Sequence, residues 1–239
     1  MSLYSDFAPY YEQVFPVREQ VYSFLKQQAG KYGGALLDAG CGPGHYCGMF
    51  LADGFSVTGI DLDRIMIDYA TASYLKGVFR CMDITDLRFL HSSFQLIYSI
   101  GNVMAHLPIE KLEAFVDHVY ETLEPGGCWT FQVVNWDYLL TRREYNFSVK
   151  TIEDGRLTFH RRYSSISPDV VIFETQLVSE TTGEPIFKEL TKLYPRTSED
   201  YLRLHHTAGF TLEGVYSNFD KTTFKKGQDS GLVMVYTKR

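Results

Sequence analysis

From Val17 to Val134 the apolar positions alternate between short unbroken runs and stretches with helical spacing, the pattern of buried strands separated by amphipathic helices. Val17, Val21, Phe24 and Leu25 predict a helix from Val17 to Ala29 that Gly30 stops. The run before Gly40 predicts a strand, followed by a helix from His45 to Ala52, a strand from Phe55 to Asp61 and a helix from Arg64 to Ser73. Gly77 to Asp83 and Phe94 to Ile100 read as the third and fourth strands. Ile109 to Leu123 is an amphipathic helix, and Glu124-Pro125-Gly126-Gly127 turns into a fifth strand, Cys128 to Val134. This order predicts a parallel sheet with right-handed crossovers. From Phe147 to Tyr194 the pattern becomes alternation, broken at Glu153-Asp154-Gly155, Ser167-Pro168-Asp169 and Thr182-Gly183-Glu184-Pro185, which predicts successive hairpins. Pro195 to Ala208 returns as a helix, and Thr211 to Phe219 and Gly231 to Lys238 are expected to close the sheet as an antiparallel pair.

The chemistry concentrates where the first strand ends. Asp38 is followed by glycines at 40, 42 and 44 and then by a helix. Without Cβ atoms these glycines can take positive φ and let a ligand lie on the main chain, beside the unpaired N–H groups of a helix start. A dinucleotide fingerprint requires Gly-x-Gly-x-x-Gly, and the position three residues after Gly42 is His45. Asp61 ends the second strand 21 residues after Gly40 (61 minus 40), the distance at which a carboxylate receives the two hydroxyls of a bound ribose. Asp61 and Asp63 could each instead cap the next helix, a role that fits Asp63 better.

With Gly-x-Gly-x-Gly and its acid at Asp38, the stretch resembles motif I of the class I S-adenosylmethionine-dependent methyltransferases. The resemblance implies an α/β fold: a doubly wound, mostly parallel, Rossmann-like sheet of seven strands with an antiparallel β excursion after the fifth. It implies S-adenosylmethionine as cofactor and S-adenosylhomocysteine as product. Contacts are expected from Asp38, Gly40, Cys41, Gly42, Gly44, Asp61, Leu62, Met66, Asp83, Ile84, Ser99 and Ile100, with Asp83-Ile84 reading adenine; for Asp83 the alternative is a solvated strand end before a turn. The stretch Gly101-Asn102 to His106-Leu107 is similar to that of glycine/sarcosine-type N-methyltransferases, as is Asn135-Trp136-Asp137. In that alignment an arginine for the substrate carboxylate would precede Asn135, and this chain has Val134. Valine cannot form a bidentate ion pair, which argues against glycine as the acceptor. The aromatic-rich segment Tyr4 to Phe15 resembles the family's lid, and it also reads as a helix packing on the core. One methyltransferase domain over 1–239 is expected, divided into a helical lid (1–32), a cofactor core (33–136), a β cap (137–196) and the last helix and strands (197–239).

A methyl sulfonium is already electrophilic, so the protein has mainly to align a lone pair behind the C–S bond. An amine must arrive neutral, and His106, Tyr11 and Tyr163 are candidate proton acceptors, with Asn102 of the Gly-Asn stretch a further candidate catalytic residue. For His106 a hydrogen bond to backbone is the competing reading, and for Tyr11 plain packing. Arg142-Arg143 and His160-Arg161-Arg162 could grip an acidic substrate group or form a solvated face. The net charge of −6 supplies no field for nucleic acid, and Ser99-Ile100-Gly101-Asn102 is not the Asn-Pro-Pro-Tyr expected of a nucleic-acid amino-methyltransferase. Four cysteines with no Cys-x-x-Cys pair suggest reduced thiols, no metal and a cytoplasmic location. No run of eighteen apolar residues predicts membrane insertion. The expected partner is a small-molecule acceptor, with homo-oligomerisation open. Alternatives are O-methylation of a small acid or hydroxyl, a nicotinamide oxidoreductase, which would need a Tyr-x-x-x-Lys placed for catalysis, and a non-catalytic cofactor-binding protein.

Overall fold

A computed structural model describes residues 10–30 and 34–239. Residues 1–9 and 31–32 of the expected lid and residue 33 of the expected core lie outside the described residues. In chain order the elements are α1 (Tyr11–Val14), α2 (Glu19–Gln28), β1 (Ala35–Ala39), α3 (His45–Ala52), β2 (Ser56–Asp61), α4 (Arg64–Ser73), β3 (Val78–Cys81) and β4 (Phe94–Ser99). They continue with α5 (Ile109–Thr122), β5 (Leu123–Val134), α6 (Trp136–Leu139), β6 (Tyr145–Asn146), β7 (Lys150–Ile152), β8 (Leu157–Ser164), β9 (Val171–Ser179) and β10 (Pro185–Leu193). The chain then runs through α7 (Ser198–Thr207), β11 (Phe210–Tyr216) and β12 (Gly231–Lys238).

Seven strands form one sheet in the order β11-β12-β5-β4-β1-β2-β3. β3, β2, β1, β4 and β5 run parallel, and β12 is antiparallel to both β5 and β11. The expected fold class is therefore the one observed. Its reason is visible in β1, whose apolar run has no polar alternation because both faces are covered. Leu37 and Ala39 pack with Leu112, Phe115 and Val116 of α5, while Leu36 points the other way, with Phe24 of α2 and Phe50 of α3. Complete burial of Leu36 and Leu37 contributes about 1.5–3 kcal/mol each.

Between β5 and α7 the chain builds a second, antiparallel sheet in the order β10-β9-β8-β6, with β7 also paired to β8. The predicted hairpins are present, with β8 pairing β9 and β9 pairing β10. α1 joins this sheet: Val14 packs with Ile152, Leu157, Phe159 and Leu177, and Lys150 donates to the carbonyl of Val14.

Boundaries moved where local signals mislead. β5 begins at Leu123, which pairs with Phe94 before Cys128 pairs with Leu96, so Glu124–Gly127 bulges out of a strand already begun. The last helix starts at Ser198 because Thr197 and Asp200 form a capping box. Among the described residues no helix is long and apolar enough to cross a membrane.

Candidate active site

Parallel strands β1, β2 and β4 end on one edge of the sheet, and the loops after them meet there. The glycine loop takes the conformation its composition predicts: φ is +93° at Gly40, +52° at Gly42 and +79° at Gly44. A Cβ on Gly40 would stand 2.6 Å from the side chain of Val103, so this position is closed to other residues by space as well as by φ. Asp61, at the end of β2, faces the loop. Its Oδ2 accepts from the Gly42 amide at 2.8 Å and its Oδ1 from the Asp63 amide at 2.9 Å. Burial raises the Asp61 pKa, against the pull of those amides. Asp63 caps α4, accepting from Ile65 and Met66, so the capping role belongs to Asp63.

Asp38 is only 2% exposed, and its Oδ1 has no hydrogen-bond partner. Its Oδ2 accepts from the Cys47 thiol at 3.5 Å. Burial pushes its pKa up to about 7, against the pull of the Tyr98 hydroxyl and the Cys47 thiol. A carboxylate this poorly compensated is unfavourable in the folded chain. Cys41 is buried and donates weakly to the Gly42 carbonyl, and the neighbouring Cys47 thiol, together with burial, holds its pKa well above the usual value.

The loop after β4 is tied to β5. Gly101 N donates to Gln132 Oε1 at 2.9 Å, Asn102 N to the Gln132 carbonyl at 3.2 Å, and Val134 N to Asn102 Oδ1 at 3.1 Å. Asn102 holds φ of +68°, a conformation Asn tolerates, so its side chain serves here to fix the loop. Ser99 Oγ donates to the Ala39 carbonyl at 2.7 Å, locking β4 to the strand that carries the glycine loop. His106 makes no hydrogen bond to backbone or side chain among the described residues, and burial lowers its pKa, leaving a neutral imidazole near pH 7. The backbone-bonded alternative for His106 is therefore not the observed one.

Tyr11 reaches the glycine loop, its hydroxyl oxygen standing 3.6 Å from where a Cβ on Gly42 would be. Its ring also lies 5.3 Å from Phe15 and 6.4 Å from His45. Leu62 follows Asp61 and is 72% exposed, whereas Met66 is 1% exposed behind it, and Ile84 is buried. Asp83 is near Asp61 through the Met82 N–H to Asp61 carbonyl bond of 2.9 Å. It caps the turn that follows, accepting from Thr85, and pairs with Lys111 at 3.1 Å. Burial alone would raise its pKa; those partners outweigh it and hold the carboxyl low. Ile100 packs with the residues around Leu36, Phe24 and Phe50. Tyr163 is 2% exposed, among Trp136, Phe147 and Phe173, in a cluster that also contains Ala105 next to His106.

Asn135-Trp136-Asp137 is structural in this chain: Asn135 donates to the carbonyls of Lys226 and Asp229, and Asp137 accepts from Ser198 N. Arg142 binds the Tyr138 hydroxyl at 2.7 Å, and Arg162 pairs with Glu174 at 2.8 Å. A Tyr-x-x-x-Lys spacing does occur at Tyr22 and Lys26, but both side chains hold Asp53 and Tyr22 packs on Phe50, so the pair serves α2 packing. Val103 and Gln132, which shape the loop, carried no local sequence signal, because their roles come from strands distant in the chain. Among the described residues no group of three or more His, Cys, Asp or Glu could hold a metal ion.

The orphaned Asp38 Oδ1, the three positive-φ glycines and the carboxylate of Asp61 beside Gly42 fit a nucleoside whose sugar and cationic tail lie over the loop. Residues 36–127 match the family model described as Methyltransferase domain. The malonyl-[acyl-carrier protein] O-methyltransferase of Erwinia billingiae (strain Eb661) is 31% identical over 121 residues, 51% of this chain and 46% of that protein. The chain thus spans about half the length of the curated relatives it matches. Among solved structures, an S-adenosylmethionine-dependent methyltransferase from Clostridium acetobutylicum ATCC 824 superposes with TM-score 0.80 at 16% identity, covering 99% of each chain. CalS10, an amino pentose methyltransferase from Micromonospora echinaspora solved with its cofactor bound, superposes with TM-score 0.71 at 18% identity, covering 100% of this chain and 98% of its own. The fold is that of the class I S-adenosylmethionine-dependent methyltransferases, and residues 36–127 carry the methyltransferase domain pattern.

Proposed function

We propose that this chain is an S-adenosylmethionine-dependent methyltransferase acting on a small-molecule acceptor. The observation that carries the reading is the glycine loop held at positive φ against the carboxylate of Asp61, with the unpaired Asp38 oxygen behind it. Asp61 has two acceptor sites occupied by amides and two left for the ribose hydroxyls. Asp38 would face the cofactor's cationic end, whose charge would offset the burial of the carboxylate. Leu62 offers an apolar surface, and Asp83 and Ile84, which follow β3, would read adenine if the resemblance holds for them. The bound cofactor supplies an electrophilic methyl group.

The chain's own residues then have to position and deprotonate. Tyr11 lies over the glycine loop and Tyr163 in the aromatic cluster beside Ala105. Neutral His106 is suited to accept the proton an amine loses as the N–C bond forms and the C–S bond breaks in line. Asn102 keeps this loop in place through Val134. The second sheet with α1 forms a cap that excludes water. An amine acceptor is the preferred reading, in keeping with the glycine/sarcosine-type resemblance, though not glycine itself. O-methylation is the second reading, favoured by the O-methyltransferase named among the relatives. Incubation with methyl-labelled S-adenosylmethionine and a panel of amines and hydroxylated acids tests both. Label is expected in an amine; transfer only to oxygen would replace the first reading with the second, and cofactor binding with no transfer to any acceptor would contradict both.

A further inference from the structure

β8 places Phe159, Arg161 and Tyr163 on one face, and two of the three are buried aromatics. At the middle position, where the pattern calls for a hydrophobe, stands a guanidinium. Its carbon lies 4.7 Å from the ring centre of Phe147, 5.5 Å from Phe15 and 5.8 Å from Phe159. Arg161 Nε is buried with no hydrogen-bond partner, and so is Thr175 Oγ1, directly opposite on β9. The Lys150 ammonium sits 5.1 Å from the same Phe15 ring. Burial lowers the pKa of both cations, and Arg161 and Arg18 lower that of Lys150 further. Among the described residues no carboxylate comes within ion-pair distance of Arg161, Lys150 or Arg18, and the nearest inward acid by register, Glu189 opposite Thr175, pairs with none of them. Arg162, one residue on and facing outward, already has Glu174 and Glu144.

A desolvated guanidinium without a counter-charge is unfavourable, and a second cation beside it adds repulsion. A bound anion would relieve both costs. Its place relative to the glycine loop is set by two rings, Phe15 next to Arg161 and Tyr11 next to both Phe15 and Gly42. We propose that Arg161 and Lys150 form an anion subsite on the inner face of the second sheet, and that the methyl acceptor carries a carboxylate or phosphate on an apolar body. The identity of the ligand as acceptor rests on the methyl-transfer reading; the anion subsite itself does not.

The test titrates the whole chain with benzoate, phenyl phosphate and the neutral benzyl alcohol, and in parallel with S-adenosylhomocysteine, following heat and melting temperature. At least one anion is expected to bind where benzyl alcohol does not, and benzoate against phenyl phosphate separates the two anion chemistries. Arg161→Met should weaken that anion roughly 10- to 100-fold, the loss of charge-assisted hydrogen bonds, while S-adenosylhomocysteine binding and the melting temperature hold. Arg161→Lys should recover part of the affinity, and Lys150→Met carries the test if Arg161→Met does not fold. Failure of both anions to bind, or equal binding to wild type and Arg161→Met, overturns the subsite. Arg161-dependent anion binding without any S-adenosylhomocysteine binding would uphold the subsite and overturn the cofactor reading instead.

Discussion

Replacing Asp61 by alanine removes a carboxylate with two separable duties. Toward the chain it accepts from Gly42 N at 2.8 Å and from Asp63 N at 2.9 Å. Loss of both from a half-buried position should destabilise the protein by about 1–2 kcal/mol and lower its melting temperature by roughly 2–8 °C. Toward a bound nucleoside it would accept two ribose hydroxyls, and losing two such charge-assisted bonds is worth about 3 kcal/mol or more, a weakening of roughly 100-fold or greater. Asp61→Asn keeps one oxygen for Gly42 and removes the charge, so it should fall between, at roughly 10-fold. Calorimetric titration with S-adenosylhomocysteine reads the affinity and thermal denaturation reads the stability. If Asp61→Ala binds S-adenosylhomocysteine within about threefold of wild type while folded, the ribose role is wrong, and Asp61 serves the loop alone.

Gly40→Ala must place a Cβ 2.6 Å from Val103 at φ of +93°, and should destabilise by about 2–4 kcal/mol in thermal denaturation; Val103→Ala in the same chain should restore the packing part only, and full restoration would refute the backbone part. Asp38 has a folded pKa of about 7 against an ordinary value of 3.8, so its contribution to stability is present below the unfolded value and is lost as pH rises through about 7. Asp38→Asn should therefore gain on wild type as pH rises, by at most on the order of 4 kcal/mol accrued between about pH 4 and pH 7, while weakening S-adenosylhomocysteine; a pH-independent difference in melting temperature would contradict this. His106→Gln should lower kcat by about 100-fold with an acceptor identified by label transfer, and wild-type kcat should be flat above its lowered pKa and fall below it; an unchanged kcat would remove His106 from the proton's path.

The sheet was readable in the sequence because its parallel strands are short, mostly apolar or β-branched segments between turn signals, and the helices between them carry apolar stripes. The glycine loop was readable because positive φ at 40, 42 and 44 leaves little choice of residue. The start of β5 was not, since Glu124-Pro125-Gly126-Gly127 is locally a turn and only the partner Phe94 shows that Leu123 is already a strand residue. Strand β6 is two residues long and held by Tyr163 and Arg162, so nothing local marks it. Side-chain roles divided in the same way. Asp63 as a cap follows from its immediate neighbours, and so was legible. Asn102 as a brace on Val134, Tyr163 as a core aromatic and Arg161 as a half-buried guanidinium set among aromatic rings depend on strands brought together from far apart. The adjacent arginines 161 and 162 look alike in sequence, and only the β8 pleat separates the paired one from the unpaired one.

A crystal structure of the chain with S-adenosylhomocysteine tests the central claim most directly. The account predicts the ribose hydroxyls on Asp61, the backbone of residues 40 to 44 against the nucleoside's tail, and Asp38 beneath its amino group. Density for the nucleoside at any other edge of the sheet, or a glycine loop left untouched at saturating ligand, would contradict it.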